Sequence, residues 1–160
     1  MRPTITIDCE VLPGGKLPTK AHDTDAGFDL YASADVVLST GAVTRHPLNV
    51  KFKMPPGTFM EICTKSGLGS KGQLVYAGII DEGYRGICHV VTTLLQLPHR
   101  DPLLSWMDVV PEPGTLGLKG GSKIAQGIVH PHGPHYVIRQ VDQVTEDTAR
   151  GAGGFGSSGT

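Results

Sequence analysis

The sequence has little net charge, few aromatic side chains and no long apolar run. Its 14 Lys and Arg residues nearly balance 15 Asp and Glu residues over 160 positions, so the basic field typical of duplex nucleic-acid binding is absent. No apolar run reaches the ~20 residues that a membrane-spanning helix needs, and residues 1–8 lack the apolar core of a signal peptide. We therefore expect a cytoplasmic protein that binds neither nucleic acid nor membrane.

Cysteine is also scarce, which removes two structural devices. Cys9, Cys63 and Cys88 are odd in number and have no CxxC spacing, so neither a disulfide framework nor a zinc site is predicted. The histidines of residues 130–135 are separated by prolines and a glycine, and no acidic or thiol residue accompanies them. This pattern favours a surface turn over a metal site.

Glycine and proline, in contrast, are abundant, with 22 and 12 residues. Turn signals therefore recur too often for long helices, and short runs rich in β-branched and aromatic residues lie between them. Strands are predicted at residues 4–12, 28–32, 36–38, 43–53, 58–64, 74–80, 87–97, 123–130 and 136–141, with one possible helical turn at 102–107. The pattern predicts a single all-β domain, a sandwich or barrel, over residues 1–146. Residues 147–160 are predicted to form a flexible glycine-rich arm.

The end of that arm suits a nucleotide. Residues 150–160 hold five glycines, two serines, one arginine and one phenylalanine. Arg150 can bind phosphate, Phe155 can stack on a base, and Gly156 and Ser157 offer closely approaching donors. Two interpretations remain open from these residues alone, a lid that orders over a substrate or a merely solvated terminus.

Four interior segments carry polar residues that a plain β domain does not need. Asp29 interrupts a buried strand and is either a structural carboxylate or a second-shell ligand of a hard cation. The Lys65–Lys71 loop is a candidate anion site or an ordinary surface loop. Gln126 is either a strand residue facing solvent or a phosphate ligand.

The fourth segment, residues 78–86, has the signature of a hairpin whose tip holds Asp81 and Tyr84. There a carboxylate can accept a proton from water and a phenol ring can pack on a sugar. The alternative is a tight turn in which the aspartate only accepts backbone hydrogen bonds.

Taken in order, these segments resemble the five motifs of the trimeric deoxyuridine triphosphatases (dUTPases). The matching stretches are AGFDLYA, KSGLG, GIIDEGYRG, GSKIAQ and RGAGGFGSSG, between residues 26 and 159. The resemblance implies a distorted β-barrel or jelly roll of the β-clip type. It also implies a homotrimer with shared active sites that cleaves dUTP to dUMP and pyrophosphate through in-line attack of water on the α-phosphate.

The resemblance also implies a role for each matching residue. Asp81 would orient and deprotonate the water, and Tyr84 would pack under the deoxyribose. The strand that contains Val75, Gly78 and Ile80 would read the uracil edge through its backbone.

The remaining matches concern phosphate, metal and lid. Ser66 and Gly67 would contact phosphate, Gln126 would reach the α-phosphate, and Asp29 would hold a water of Mg²⁺ whose direct ligands come from the triphosphate. In the arm, Arg150 would contact the γ-phosphate and Phe155 would stack on the uracil. Gly156 and Ser157 would make further phosphate contacts.

The sequence departs from the family pattern in three places. Lys65 stands where an arginine is usual, and Ser122 and Lys123 stand where Asp-Arg is usual. If the usual arginine and aspartate pair, both halves are altered here and no unpaired charge remains. Residues 97–118 form a longer link than usual and hold the only tryptophan, so they are either a surface excursion or a partner-binding or trimer-buttressing element.

Two other functions compete with dUTP hydrolysis. The dCTP deaminases share the fold, but they carry a catalytic glutamate where Val91 stands here. A non-catalytic or dual-role module that binds another protein is the second alternative, and retention of Asp81, Tyr84, Arg150 and Phe155 argues against it.

Overall fold

The computed structural model describes residues 4–76, 78–95, 114–134 and 136–143. Within these ranges the chain forms eleven strands and one short helix, which confirms the all-β class. The elements are β1 Asp8–Val11, β2 Gly27–Tyr31, β3 Val36–Ser39, β4 Thr44–Pro47, β5 Val50–Lys53, β6 Thr58–Cys63, α1 Ser66–Gly69, β7 Gln73–Tyr76, β8 Ile79–Ile80, β9 His89–Leu94, β10 Thr115–Leu118 and β11 Lys123–Pro131. The helix α1 is much too short to cross a membrane, and no other helix occurs in the described ranges.

The strands pair in four antiparallel sheets. The largest has the order β2-β11-β6-β8, and a second has the order β4-β9-β7. Two-stranded sheets, β1-β5 and β3-β10, complete the set. The nine-residue strand β11 pairs with both β2 and β6, which lie about 60 to 100 residues earlier in the chain.

Strand alternation builds the core. In β5 the side chains of Val50 and Phe52 are buried while the intervening Lys51 is not, as a period of two requires. Met60 of β6 packs so close to β11 that a Cβ at Gly127 would lie 2.6 Å from its sulfur. Each large apolar side chain buried in this way stabilises the fold by about 1.5–3 kcal/mol.

Two predicted strands are each divided in the structure. Residues 43–53 form β4 and β5 because the backbone turns at Asn49, whose φ is 52°. Residues 74–80 form β7 and β8, which belong to different sheets. The predicted hairpin at residues 78–86 was therefore wrong, since β8 pairs with β6 whereas β9 pairs with β4 and β7.

Five further predictions have different outcomes. The Lys65–Lys71 loop contains the helical turn α1, and residues 136–141 form no strand and are exposed. Strand β10 occupies part of the predicted 97–118 link. The helical turn at 102–107 and the arm at 147–160 lie outside the described residues, so both stay predictions.

Candidate functional site

Asp81 lies on a tight turn directly after β8. The Tyr84 N–H donates to the Asp81 carbonyl at 3.1 Å, and Arg85 Nη1 donates to the carbonyls of Glu82 and Tyr84 at 2.6 and 2.8 Å. The Asp81 side chain is exposed, and among the described residues its carboxylate has no hydrogen-bond or ion-pair partner. A carboxylate free of partners on a fixed turn can accept a hydrogen bond, and then a proton, from water.

Tyr84 is held at the edge of the same turn. Its hydroxyl donates to the Ile87 carbonyl at 3.1 Å, and 42% of the residue is exposed. A Cβ at Gly86 would lie 2.4 Å from the Tyr84 hydroxyl oxygen, so only glycine leaves room for the ring in this position. The chain therefore presents a partly exposed phenol ring beside Asp81.

A cavity of about 520 Å³ opens at the turn. Its lining combines two apolar side chains, two carboxylates and an imidazole, and consists of Phe59, Ile79, Asp81, Glu82, Gly83 and His132. Cavities of this size hold small organic ligands. Glu82 and His132 were not among the predicted site residues, because nothing in the local sequence indicates that they meet.

A second cluster joins three of the sequence segments around Asp29. The Asp29 side chain on β2 is 9% exposed and forms ion pairs with Lys65 and, at 2.6 Å, with Lys123 of β11. Gln126 lies opposite Asp29 in the β2–β11 ladder, and its Nε2 donates to the Thr64 carbonyl at 3.1 Å. The structure thus brings the predicted residues Asp29, Lys65 and Gln126 together.

The same cluster explains how the unusual lysines are accommodated. Lys65 and Lys123 share the Asp29 carboxylate, and Ser122 contributes backbone hydrogen bonds to Ala32 and Lys119. Both lysine charges are therefore paired, because each contacts Asp29. Ser122 does not take part in this pairing, since its hydrogen bonds are made by its backbone. No group of three or more His, Cys, Asp or Glu side chains in the described ranges is placed to hold a metal ion.

Burial and charge act in opposite directions on Asp29. Burial by itself would raise the pKa of the Asp29 carboxyl, but the hydrogen bonds and charges of Lys123 and Lys65 outweigh burial and hold the pKa below its ordinary value of 3.8. A carboxyl whose pKa is lowered on folding stabilises the folded chain above pH 3.8. This contribution is lost as the pH falls through the folded-state pKa.

We therefore predict that Asp29→Asn lowers the free energy of unfolding by about 2 kcal/mol near neutral pH, because it removes a charged acceptor from two lysines. The difference from wild type should shrink as the carboxyl of the wild-type protein becomes protonated. Urea unfolding of both proteins over a series of pH values measures this. The exposed ion pair of Asp35 with Lys119 provides the control, since Asp35→Asn should have little effect. A difference for Asp29→Asn that is independent of pH would contradict the ion-pair explanation.

The other predicted residues of the described ranges differ in exposure and packing. Ser66 and Gly67 are exposed on α1, and the Val75 N–H donates to Thr64 Oγ1 at 3.0 Å. Gly78 is tightly packed, because its carbonyl accepts from the Ile62 N–H at 2.6 Å and a Cβ there would lie 2.3 Å from the Ile62 oxygen. The Ile80 side chain is buried, so only its backbone is available to a ligand.

The single chain thus presents two groups of predicted residues. Within the described ranges, no hydrogen bond or ion pair joins Asp81 or Tyr84 to Asp29, Lys65 or Gln126. Four predicted residues of the arm lie outside the described residues, namely Arg150, Phe155, Gly156 and Ser157. Most of the 97–118 link also lies outside them, so its proposed partner-binding role stays a prediction.

Known proteins resemble this chain over most of its length. A sequence profile of the dUTPase family matches residues 14–96. The deoxyuridine 5'-triphosphate nucleotidohydrolase of Saccharomyces cerevisiae is 35% identical over 144 residues, which are 89% of this chain and 86% of that protein. The corresponding protein of Nocardia farcinica is 34% identical over 154 residues, which are 92% of this chain and 81% of that one.

Solved structures show the same similarity. The dUTPase of Staphylococcus bacteriophage 80alpha with dUPNHPP superposes with a TM-score of 0.80 and 25% identity, covering 98% of this chain and 100% of that chain. The dUTPase from phage phi11 of S. aureus has a TM-score of 0.71 and 24% identity, covering 88% of this chain and 98% of that chain. The second comparison concerns the fold alone.

Proposed function

The chain belongs to the dUTPase family, and from this membership we propose that it hydrolyses dUTP to dUMP and pyrophosphate in the cytoplasm. This reaction keeps uracil out of DNA and supplies dUMP for dTTP synthesis. The observation that carries the proposal is the exposed Asp81 carboxylate, which has no partner in the described ranges and lies on a fixed turn at a cavity of about 520 Å³. Wild-type protein supplied with dUTP and magnesium should release pyrophosphate, and absence of turnover would contradict the proposal.

Asp81 acts as the general base in this mechanism. It accepts a hydrogen bond from a water molecule and takes its proton as the water oxygen attacks the α-phosphorus in line. The new bond joins the water oxygen to the α-phosphorus, and the bond from that phosphorus to the bridging oxygen of the β-phosphate breaks. The leaving group is pyrophosphate. Tyr84, fixed by its bond to Ile87, packs under the deoxyribose.

Residues near Asp29 bind the phosphates. The Lys65 ammonium has three donors, so it can keep its bond to Asp29 and still donate to a phosphate oxygen. Gln126 uses one amide hydrogen for the Thr64 carbonyl and has a second for the α-phosphate. Ser66 is exposed at the start of α1 and offers its hydroxyl.

A magnesium ion that accompanies the triphosphate would neutralise phosphate charge in the transition state. Asp29 is proposed to hold a water of this ion, and each of its oxygens retains a second acceptor position beside the bonded lysine. Asp29 can fill this role only while its carboxylate is ionised, and the two lysines favour the ionised form.

The uracil is proposed to be recognised by the backbone around Val75, Gly78 and Ile80. The side chain of Ile80 faces the core, the Val75 N–H is bonded to Thr64 and the Gly78 carbonyl to Ile62, so the stretch is rigid and recognition would use its other backbone groups. Backbone donors and acceptors reject cytosine, whose exocyclic amine places a donor where uracil places an acceptor.

We propose a homotrimer with shared sites. Residues 136–141 include three strongly exposed apolar side chains with no strand partner in the described ranges: Tyr136 at 79%, Val137 at 77% and Ile138 at 100%. Exposed apolar patches of this kind are typical of interaction surfaces. Assembly would cover this segment and would let the Asp81 group of one subunit meet the Asp29 group of another, with the arm of residues 147–160 closing over the site.

Gly67 provides a direct test of phosphate access. A Cβ at this position would meet no atom within 4 Å, and its φ is not positive, so neither packing nor backbone conformation requires glycine here. We predict that Gly67→Ala keeps or slightly raises stability but lowers kcat/KM about tenfold, because the methyl group displaces the phosphate.

Gly15→Ala is the matched control outside the proposed site, because its Cβ would lie 2.2 Å from the Asn49 carbonyl oxygen and cost about 2 kcal/mol of stability. Thermal melting and steady-state kinetics of both variants separate the two effects. Full activity in Gly67→Ala would contradict a phosphate contact at this residue.

A further inference from the structure

Glu82, the residue after Asp81, connects the turn to two other parts of the chain. Its Oε2 accepts from the Gly57 N–H at 2.8 Å. The same oxygen lies 3.2 Å from His132 Nε2, which donates to it as the Nε2–H tautomer or when protonated. The triangle is closed by the His132 N–H, which donates to the Gly57 carbonyl at 2.9 Å.

These three residues come from separate segments. Gly57 precedes β6, His132 follows β11, and Glu82 belongs to the turn that bears Asp81. The Arg85 guanidinium also bonds the Glu82 carbonyl, so both the backbone and the side chain of Glu82 are held. The turn is thereby fastened to the ends of two paired strands of the main sheet.

The contact is poorly suited to a purely stabilising role. The side chains of His132 and Glu82 are 50% and 41% exposed, and exposed pairs of this kind contribute little to stability. Both line the cavity together with Asp81. The hydrogen bond from Gly57, followed by that from His132, lowers the pKa of Glu82 below its ordinary value.

We propose that Glu82 is a positioning residue for the reaction: its carboxylate, held by Gly57 and His132, fixes the turn so that Asp81 faces the attacking water. This inference rests on the proposed role of Asp81 as the base. Because general-base catalysis requires hydrogen-bond distance in the transition state, a small displacement of the turn acts on kcat.

The test compares Glu82→Ala with Glu82→Gln. We expect Glu82→Ala to lower kcat about tenfold with little change in KM, because the turn shifts while substrate contacts elsewhere remain. A glutamine oxygen still accepts from the neutral Gly57 N–H, so Glu82→Gln should recover most of the lost kcat. Hydrogen exchange at the Gly57 amide should accelerate in Glu82→Ala and stay close to the wild-type rate in Glu82→Gln.

A matched control exists on the same sheet. Glu61 Oε2 lies 3.1 Å from His130 Nε2, with side-chain exposures close to those of the Glu82 pair, but in the described ranges neither side chain forms a hydrogen bond or ion pair with residues 81–85. Glu61→Ala should leave kcat unchanged. If Glu82→Ala does not fold, His132→Ala removes one of the two donors and should lower kcat less, again without a change in KM.

The outcomes separate the two proposals. No dUTP turnover by wild type would overturn the proposed function itself. Turnover by wild type together with an unchanged kcat in folded Glu82→Ala would overturn the positioning role of Glu82, as would equal losses in Glu82→Ala and Glu61→Ala. A loss in Glu82→Ala that Glu82→Gln recovers, with exchange at Gly57 changing in parallel, supports it.

Discussion

Asp81→Asn is expected to lower kcat for dUTP hydrolysis about 1,000-fold, in the range found when a general base is removed. The asparagine amide keeps the size of the side chain but cannot take a proton from water. KM should change little, because the proposed phosphate and uracil contacts come from other residues. Steady-state pyrophosphate release measures both parameters.

The controls for this variant address fold and charge. Asp81 is exposed and has no partner in the described ranges, so the thermal melting curve of Asp81→Asn should match that of wild type. Asp23→Asn removes an exposed carboxylate from another loop and should keep full activity. More than about a tenth of the wild-type rate in Asp81→Asn would contradict its role as base.

Truncation after Glu146 is expected to have the second largest effect. Removing residues 147–160 takes away Arg150 and Phe155, the proposed contacts to the γ-phosphate and the uracil. Water would then reach the open site, and kcat/KM should fall about 100-fold. Kinetics on dUTP, together with the mass of the assembly in solution, measure the two consequences.

The truncated protein should still fold and assemble. Truncation leaves in place the buried core that includes Leu30, Val50 and Ile124. Full-length Phe155→Ala separates base stacking from the rest of the arm and should show part of the loss. Normal turnover by the truncated protein would show that the arm is not a lid.

The fold was predictable where one strand has one alternating pattern. In β5 the order Val, Lys, Phe, Lys predicts the buried face, and the structure confirms it. Residues 43–53 were wrongly predicted as one strand, since alternation continues through the turn at Asn49. Residues 136–141 show the other limit: a run rich in β-branched and aromatic residues predicts a strand, but a strand also needs a partner, which the described part of this chain does not supply.

The candidate site, too, was only partly predictable from the sequence. Motif resemblance identified Asp29, Lys65 and Gln126, and the structure brings them together. The bond of Lys123 to Asp29 depends on the register of β11 against β2, which no local sequence signal encodes. Contacts that link distant segments, such as that of Glu82 with Gly57, are set by tertiary packing and were therefore not predicted.

Hydrolysis of dUTP in ¹⁸O-labelled water tests the proposed chemistry most directly. Attack on the α-phosphorus places one labelled oxygen in dUMP and none in pyrophosphate, and Asp81→Asn should slow this labelling in proportion to its loss of kcat. Mass spectrometry of both products reads the result in a single experiment. Label in pyrophosphate, release of dUDP with inorganic phosphate, or unchanged labelling by Asp81→Asn would contradict attack by an Asp81-activated water on the α-phosphate.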